Sequence, residues 1–267
     1  MLQPRLIPAL LVDGQGRLVK TSRFGSRHYL GDPLNAAYVF SGFEVDELLI
    51  LDIDASIQRR SIPLPFVEAL ARFTTVPLTV GGGITSLEQI HDLLALGVEK
   101  VALSAVLSND LSFLQRAANR FGSSTISVIL NVCSPSEGPA LAWCGRPDAA
   151  GAGPGRPLVS LAMACEQAGA GELVIQAADR DGQCQGYPIP LLAELNRKLT
   201  IPLVALGGCG SHRHIAELLQ ASPLSGVAAG SLFVYAPGSQ QVLLHYPHTH
   251  HWLQEQLLQL QECWPCA

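Results

Sequence analysis

Residues 77–94 read PLTVGGGITSLEQIHDLL and residues 202–219 read PLVALGGCGSHRHIAELL, an ungapped repeat at an offset of 125 residues. Each copy is a short apolar run, then a group of glycines, then a serine that opens an apolar pattern of helical period. Ser86 and Gln89 also have the spacing of a capping box, which satisfies free N–H groups in the first turn of a helix. Each copy therefore predicts a strand, a tight glycine turn and the start of a helix.

A glycine turn that leads into a helix is a candidate anion site. Its backbone N–H groups converge, the helix dipole favours negative charge, and glycines let a phosphate approach the backbone closely. Two plain tight turns are the alternative, but two copies in register favour a pair of phosphate sites. The residues predicted to bind phosphate are Gly82, Gly83, Ser104, Gly207, Gly208, Gly230 and Ser231.

The repeat extends in both directions from these turns. Residues 47–54 (ELLILDID) align at the same offset with residues 172–179 (ELVIQAAD), and flanking apolar runs pair at similar offsets. Each half thus has four apolar runs that alternate with helical or loop segments, the pattern of parallel strands covered on both sides. Eight such units predict an α/β fold, a single (βα)8 TIM barrel built from two four-unit half-barrels, typically about 250 residues long. A doubly wound open sheet is the alternative, but it gives no reason for a four-plus-four repeat.

The barrel is predicted to span residues 1–237, and residues 238–267 are predicted to form a C-terminal tail with a short helix. Residues 13–32 are expected to form a basic loop on the face of the barrel that carries active sites. Residues 134–157 are expected to form a mobile loop without a packed part, because 17 of 24 residues are Gly, Pro, Ala or Ser. The predicted strands are residues 5–12, 47–52, 77–80, 100–104, 125–131, 172–177, 202–206 and 226–230.

The bulk composition argues against several classes of protein. A net charge of −5 speaks against a nucleic-acid partner, and no apolar run reaches the ~20 residues of a membrane span. The N-terminus lacks a signal-peptide pattern, so we expect a cytoplasmic protein whose seven cysteines are mainly free thiols. The tail carries four histidines and the pair Cys263-x-x-Cys266, but neither group has the surroundings of a metal or redox site. We predict no metal and no cofactor.

Motifs along most of the chain resemble one enzyme family. They are RLIP (5–8), LVK (18–20), GDP (31–33), DELLILDIDAS (46–56), PLTVGGGITS (77–86), ALGVEKV (95–101), RFGS (120–123), GAGELVI (169–175), ADRDG (178–182) and ALGGCGS (205–211). In order and spacing they resemble the cyclase subunit of imidazole glycerol phosphate synthase. The resemblance implies a glutaminase subunit that docks at the N-terminal face of the barrel and supplies ammonia. It also implies a ribulosyl substrate with a phosphate at each end, which is aminated and cleaved to an imidazole and a carboxamide nucleotide.

The chain departs from that family at its catalytic residues. The resemblance places two catalytic carboxylates at the C-terminal ends of the first and fifth strands, where this chain has Leu11 and Asn131. Leucine cannot transfer a proton and an amide does not titrate, whereas each positioned acid or base contributes about 10²–10⁴ in rate. Whether the chain is an active enzyme is therefore left open. The remaining candidates for the chemistry are Lys20, Asp52, Asp179 and Asp181.

This chain does have a second set of residues that the resemblance implies. The resemblance implies an ammonia gate at the floor of the barrel, formed by Arg5, Glu47, Lys100 and Glu172, each of which opens a predicted strand. Two charges of each sign can pair fully, which offsets the cost of placing them near a barrel interior. Solvated strand ends explain the same residues from the sequence alone, but the resemblance favours the gate.

Three stretches resemble one branch of this family, the cyclase-subunit paralogues associated with surface-polysaccharide genes. They are LVKTSRFG (18–25), EVDELLILDID (44–54) and VLLHYP (242–247). The resemblance implies a barrel that passes ammonia from a glutaminase to the amination of a sugar nucleotide, with little cyclase chemistry of its own. An active cyclase of histidine biosynthesis is the first alternative. A non-catalytic barrel that binds a small phosphorylated ligand is the second.

Overall fold

The computed structural model describes residues 3–108, 110–133, 138–147, 154–236 and 238–247. Within these ranges the strands are β1 (Arg5–Val12), β2 (Leu18–Thr21), β3 (Arg27–Gly31), β4 (Leu48–Asp52), β5 (Leu78–Gly81), β6 (Lys100–Leu103), β7 (Ile126–Cys133), β8 (Leu141–Cys144), β9 (Arg156–Pro157), β10 (Glu172–Ala177), β11 (Leu203–Leu206) and β12 (Gly226–Ala229). The α-helices are α1 (Pro33–Gly42), α2 (Leu64–Phe73), α3 (Leu87–Ala95), α4 (Ser112–Phe121), α5 (Leu158–Gln167), α6 (Ile189–Lys198), α7 (His212–Ala221) and α8 (Ser231–Val234).

Eight of the strands form the closed parallel barrel that the sequence predicts. The strands β1, β4, β5, β6, β7, β10, β11 and β12 pair in that order, and β12 returns to pair with β1 from Arg5↔Gly226 to Pro8↔Ala229. The first four strands belong to one copy of the repeat and the last four to the other. The prediction of a single TIM barrel built from two half-barrels is therefore confirmed.

The barrel wall separates two apolar cores, because alternate side chains of each strand point to opposite sides. On β1, Leu6 and Leu10 pack outward with helix residues such as Phe40, whereas Ile7 and Leu11 point into the barrel. The interior core consists of Ile7, Ala9, Leu11, Val19, Leu49, Leu51, Ala102, Ile129, Val174, Val204, Leu206 and Ala228. Burial on both sides explains why the barrel strands appear in the sequence as continuous apolar runs.

The segment between β1 and α1 is a hairpin, so the prediction of a loop over residues 13–32 is wrong in part. β2 pairs antiparallel with β1, with Val19 opposite Leu11, and β3 pairs with β2. Asp54, which follows β4, accepts hydrogen bonds from both terminal nitrogens of Arg27 on β3, at 2.6 and 2.7 Å. Arg27 holds the pKa of Asp54 below its usual value, and Asp54 raises the pKa of Arg27. The pair stays charged and fastens the hairpin to the C-terminal face of the barrel.

The predicted loop over residues 134–157 also contains strands. β8 pairs antiparallel with β7, with Trp143 opposite Asn131, and β9 pairs with β8. Ala142 is buried, so the prediction that this segment has no packed part is wrong for β8. The sequence analysis does not predict β8, because this strand forms by pairing with β7 and its own composition does not favour a strand. Both half-barrels thus carry an antiparallel extension after their first strand.

Residues 238–247 run back along the barrel. Val242 forms a β-bridge with Tyr235, and the Tyr246 hydroxyl donates to the carbonyl oxygen of Leu6 at 3.2 Å. Burial, together with the nearby Asp46 carboxylate, raises the pKa of Tyr246, so this hydroxyl stays protonated as a donor. The tail therefore contacts the barrel near its N-terminal face.

Some predictions concern residues outside the described ranges. These are the tail helix, the pair Cys263 and Cys266, and the histidines His248, His250 and His251. The predicted boundary between the barrel and the tail also stays a prediction. Over the described ranges, no helix combines the length and apolarity needed to cross a bilayer. Within the same ranges, no three His, Cys, Asp or Glu side chains lie close enough to hold a metal ion.

Candidate functional site

At the floor of the barrel, the structure brings together the four charged residues that the sequence singles out. The Arg5 guanidinium forms ion pairs with both Glu47 and Glu172. The Lys100 Nζ atom lies 3.0 Å from Glu47 Oε2 and 3.4 Å from Glu172 Oε2. The two cations and two anions therefore alternate in a closed ring, which we call the floor ring.

The two carboxylates of the floor ring also accept hydrogen bonds from neighbouring hydroxyl groups. Thr79 Oγ1 donates to Glu47 Oε1 at 2.6 Å, and Ser127 Oγ donates to Glu172 Oε1 at 3.3 Å. Burial alone would lower the pKa of Arg5, but the Glu172 and Glu47 carboxylates raise it above its usual value, so Arg5 stays charged. Buried charges are tolerated when pairing and additional hydrogen bonds offset their desolvation. The geometry fits a closed gate, although the gate role itself stays a prediction.

A glycine on β12 explains how Arg5 reaches the floor ring. Glu47, Lys100 and Glu172 come from alternate barrel strands, and the next alternate strand, β12, has Gly226 at this level, paired with Arg5. An ideal Cβ on Gly226 would lie 3.5 Å from Arg5 Nη2. Glu47, Lys100 and Glu172 are three of the four residues that alternate strands place at this level of the barrel. Gly226 is the fourth and has no side chain, so the long side chain of Arg5 fills the space that it leaves.

At the mouth of the barrel, one open cleft is lined by seven of the thirteen remaining predicted site residues. Its lining includes Leu11, Lys20, Asp181, Gly207, Gly208, Gly230 and Ser231. Cys209 also lines the cleft, and burial raises the pKa of this thiol to about 12, so it stays neutral. Leu11 and Lys20 come from the first half-barrel and the other lining residues named here from the second, whereas Asn131, Asp52, Asp179 and the first glycine turn do not line the cleft.

Lys20 and Asp181 form a buried ion pair in this cleft. Lys20 Nζ donates to Asp181 Oδ1 at 2.9 Å and to the Thr21 carbonyl oxygen at 3.3 Å. The second carboxylate oxygen of Asp181 accepts from Thr21 Oγ1 at 2.5 Å and from the backbone N–H of Phe24 at 3.3 Å. Asp181 therefore fastens the tip of the hairpin to the second half-barrel and holds the Lys20 ammonium at the cleft.

Asp52 is engaged in a structural role. Its carboxylate accepts from Arg60 Nη1 at 2.5 Å and Nη2 at 3.2 Å, and from the backbone N–H groups of Asp54 and Ala55 at 3.1 and 3.0 Å. With both oxygens bound to the loop that follows β4, the carboxylate is poorly placed for proton transfer. Asp179 lies beside Asp181 at the end of β10 and is half-buried.

Asn131 and Ser104 both bind Gly145, just after β8. Asn131 Nδ2 donates to the Gly145 carbonyl oxygen at 2.7 Å, and the Gly145 N–H donates to Ser104 Oγ at 2.8 Å. The Ser104 hydroxyl in turn donates to the Ile129 carbonyl oxygen at 2.7 Å. The Asn131 amide thus holds the β8 extension against the mouth.

The glycine turns are also explained by chain packing. An ideal Cβ on Gly83 would lie 1.8 Å from the Arg60 carbonyl oxygen, and one on Gly208 would lie 2.3 Å from the Gly186 carbonyl oxygen. In each half the turn is packed against the loop that follows the preceding barrel strand. Close backbone packing therefore requires these glycines with or without a ligand, and phosphate binding by the two turns stays a prediction.

Comparison with known proteins agrees with this architecture. The sequence model of the family described as histidine biosynthesis protein matches residues 5–237. A protein of Leptospira borgpetersenii, provisionally named imidazole glycerol phosphate synthase subunit HisF, is 37% identical over 93% of this chain and 96% of its own length. The provisionally named subunit hisF2 of Pseudomonas aeruginosa is 36% identical over 92% of this chain and 97% of its own length. The provisionally named subunit hisF3 of Vibrio vulnificus is 37% identical over 92% of this chain and 94% of its own length.

The chain belongs to the histidine biosynthesis protein family. The relatives resemble it over nearly their whole length, which confirms the resemblance to the HisF cyclase subunit. This HisF-like chain has a complete floor ring and a Lys20–Asp181 pair, and it has Leu11 and Asn131 at the two positions where the resemblance predicts catalytic carboxylates.

The structure also adds residues that the sequence analysis missed. Gln176 on β10 lines the mouth cleft of this HisF-like barrel and is 7% exposed. Its only signal in the sequence is a single amide in the apolar run ELVIQA, which no motif marks. Arg60 and Gly145 sit in segments without regular patterns, so their contacts with Asp52 and Asn131 could not be read from spacing.

Proposed function

We propose that this HisF-like barrel receives ammonia from a glutaminase subunit docked at its N-terminal face and lets it pass the floor ring toward the mouth. The observation that carries the proposal is the closed ring of Arg5, Glu47, Lys100 and Glu172 below an interior of small and apolar side chains. Ammonia is neutral and small, whereas ammonium would meet two cations and lose its hydration. We therefore assign the floor ring as the gate for neutral ammonia.

We further propose that the mouth binds a small phosphorylated ligand but has little cyclase activity. The cleft keeps a cation, Lys20, next to the second glycine turn, which supports anion binding. The two positions where the family resemblance places carboxylates hold the apolar Leu11 and the clamp residue Asn131. Ammonia that reaches this mouth would be used by another protein.

The acceptor that we propose is a sugar nucleotide destined for a surface polysaccharide, aminated in the cytoplasm. The sequence motifs 18–25, 44–54 and 242–247 support this assignment. Two relatives also have names that carry copy numbers, hisF2 and hisF3. An active cyclase is the second candidate, because Asp181 places one carboxylate in the lining of the cleft.

Docking of the glutaminase can be tested at the N-terminal face. A groove there is lined by Thr74, Thr75, Pro77, Leu96, Gly97 and Glu99, and Glu99 is exposed. We expect Glu99→Arg to weaken binding of the glutaminase subunit encoded in the same genome by about tenfold, because it reverses a charge at the interface. Calorimetric titration of the two purified proteins measures this affinity.

Glu88→Arg is the matched control, because Glu88 is an exposed glutamate at the other end of α3, on the mouth side. Its substitution should leave the affinity unchanged. Equal affinity for the wild-type chain and both variants would show that the glutaminase does not dock on this groove, and no binding at all would contradict the proposed function.

A further inference from the structure

We propose that Cys144 on β8 and Cys165 on α5 form a reversible disulfide when the chain meets a low-molecular-weight disulfide such as oxidised glutathione. Both residues are free thiols in the structure. The bond fastens the β8 extension, which borders the mouth, to the outer helix α5. This assignment of a modification site is independent of the ammonia role of the barrel.

The two cysteines belong to one apolar cluster outside the barrel wall. Cys144 lies on the same face of β8 as the buried Ala142, because alternate residues of a strand point to the same side. Cys165 lies on the buried face of α5, which packs against β8. Both side chains contact this outer core. Cys165 is fully buried and Cys144 is half-buried, so only Cys144 is open to a reagent in solution.

The lengths of β8 and α5 bring the two cysteines to the same level. The elements start together, because the Leu158 N–H donates to the Ala140 carbonyl oxygen at 3.0 Å. Both then run away from the mouth, β8 antiparallel to β7 and α5 toward the start of β10. Cys144 lies four residues beyond Ala140, about 13 Å at the rise of a strand. Cys165 lies seven residues beyond Leu158, about 10 Å at the rise of a helix.

A hydrogen bond joins the two thiols. This bond, together with the guanidinium of Arg156 on β9, holds the pKa of Cys144 below its usual range although burial opposes the effect. The same bond and burial raise the pKa of Cys165 far above its usual range. Cys144 therefore ionises first, and its thiolate is the nucleophile of the pair.

The reaction is a thiol–disulfide exchange in two steps. The Cys144 thiolate attacks one sulfur of oxidised glutathione, which forms a mixed disulfide and releases one glutathione thiolate. The Cys165 thiol then gives its proton to solvent and attacks the Cys144 sulfur, which releases the second glutathione. The two protein thiols are oxidised to one disulfide, and one oxidised glutathione is reduced to two thiols that take up the two protons. Excess thiol reverses both steps.

The disulfide acts next to contacts that shape the mouth. The Cys144 carbonyl oxygen accepts from Ser108 Oγ at 2.8 Å. The following residue, Gly145, accepts from Asn131 Nδ2 at 2.7 Å and donates to Ser104 Oγ at 2.8 Å. A covalent bond from Cys144 to α5 restrains this end of β8, so oxidation should slow local opening at Gly145.

Peptide mapping of the full-length chain tests the pairing. The reduced protein is incubated with oxidised glutathione, its free thiols are blocked, and it is digested with chymotrypsin, which cuts between the two cysteines after Leu158 and Leu161. We expect a peptide pair joined through Cys144 and Cys165 within about an hour, which dithiothreitol separates. Hydrogen exchange at Gly145 should be about threefold or more slower in the oxidised chain than in the reduced chain.

Three alanine variants give the matched controls. Cys165→Ala should accumulate a mixed disulfide of glutathione at Cys144, because the second thiol is missing. Cys144→Ala should leave the buried Cys165 unmodified. Cys133→Ala should still form the link, because Cys133 of β7 lies opposite Leu141, three residues from Cys144 along β8. Thermal melts check that each variant is folded.

Other outcomes overturn the inference or one of its parts. If the folded wild-type chain yields no linked peptides, the modification site is refuted. Loss of the link in Cys133→Ala would show that the pairing is wrong. Without a mixed disulfide at Cys144 in Cys165→Ala, Cys144 is not the attacking thiol. Equal exchange at Gly145 in both redox states would show that the disulfide does not restrain the mouth.

Discussion

Supplied with ammonium and the ribulosyl substrate of the family, the purified chain should turn over at least about 10⁴-fold more slowly than a family member with both carboxylates. Each positioned acid or base contributes about 10²–10⁴ in rate, and this chain lacks two. Leu11 belongs to the apolar interior and Asn131 donates its amide to Gly145, so neither side chain can move a proton. Steady-state assays of product formation measure the difference.

Partial rescue should follow from Leu11→Asp combined with Asn131→Asp, but the structure limits its extent. An aspartate at position 131 has no donor for the Gly145 carbonyl oxygen, so two acceptors would face each other and loosen the β8 extension. Leu11→Asp alone is the control that keeps this clamp intact. Wild-type turnover comparable with that of the family would contradict the account and move the proton transfer to Asp181 or Asp179.

The second large effect is expected at the floor ring. Lys100→Ala leaves the Glu47 and Glu172 carboxylates facing only Arg5. Removing one partner from a buried ionic network leaves uncompensated charge and costs about 3–5 kcal/mol of stability. We expect the variant to fold, to unfold at lower urea concentration, and to admit water through the floor. Lys198→Ala is the control, because the exposed Lys198–Glu194 pair should contribute less than about 1 kcal/mol.

The same variant should uncouple glutamine hydrolysis from amination downstream. In an extract from cells that lack the chain, ¹⁵N from the glutamine amide should enter the sugar-nucleotide pool when the wild-type chain and its glutaminase are added. With Lys100→Ala this transfer should fall about tenfold or more, whereas transfer from ¹⁵N-ammonium should be unchanged or higher. Mass spectrometry of the nucleotide sugars measures both supplies. Equal transfer by wild type and variant from both supplies would make the floor ring a structural feature only.

The fold could be predicted from the sequence because the pattern of one half-barrel occurs in it twice. The glycine turns at residues 81–83 and 207–210 fix the register of two half-barrels, and burial on both faces makes each barrel strand a continuous apolar run. The antiparallel extensions β2–β3 and β8–β9 lack this signal. They are short, and they pair with the C-terminal ends of β1 and β7, beyond the residues that pair with β12 and β6.

The floor ring could also be predicted, since Arg5, Lys100 and Glu172 each begin a strand and Glu47 directly precedes β4, so that all four meet at one end of the barrel. Fewer of the side-chain contacts at the mouth could be predicted from the sequence. The pairing of Asp52 with Arg60 depends on how a loop folds back, and the hydrogen bond from Asn131 to Gly145 depends on the pairing of β8 with β7. Such contacts follow from side-chain geometry, which spacing along the chain does not encode.

The central claim is that glutamine-derived ammonia enters this barrel without being used for cyclisation there. It is tested most directly by reconstituting the chain with its glutaminase subunit and measuring ribulosyl substrate consumed per glutamine hydrolysed. The account predicts that glutamine is hydrolysed in the complex while this ratio stays near zero. A ratio near one would contradict it, because it would show a working cyclase at the mouth despite Leu11 and Asn131.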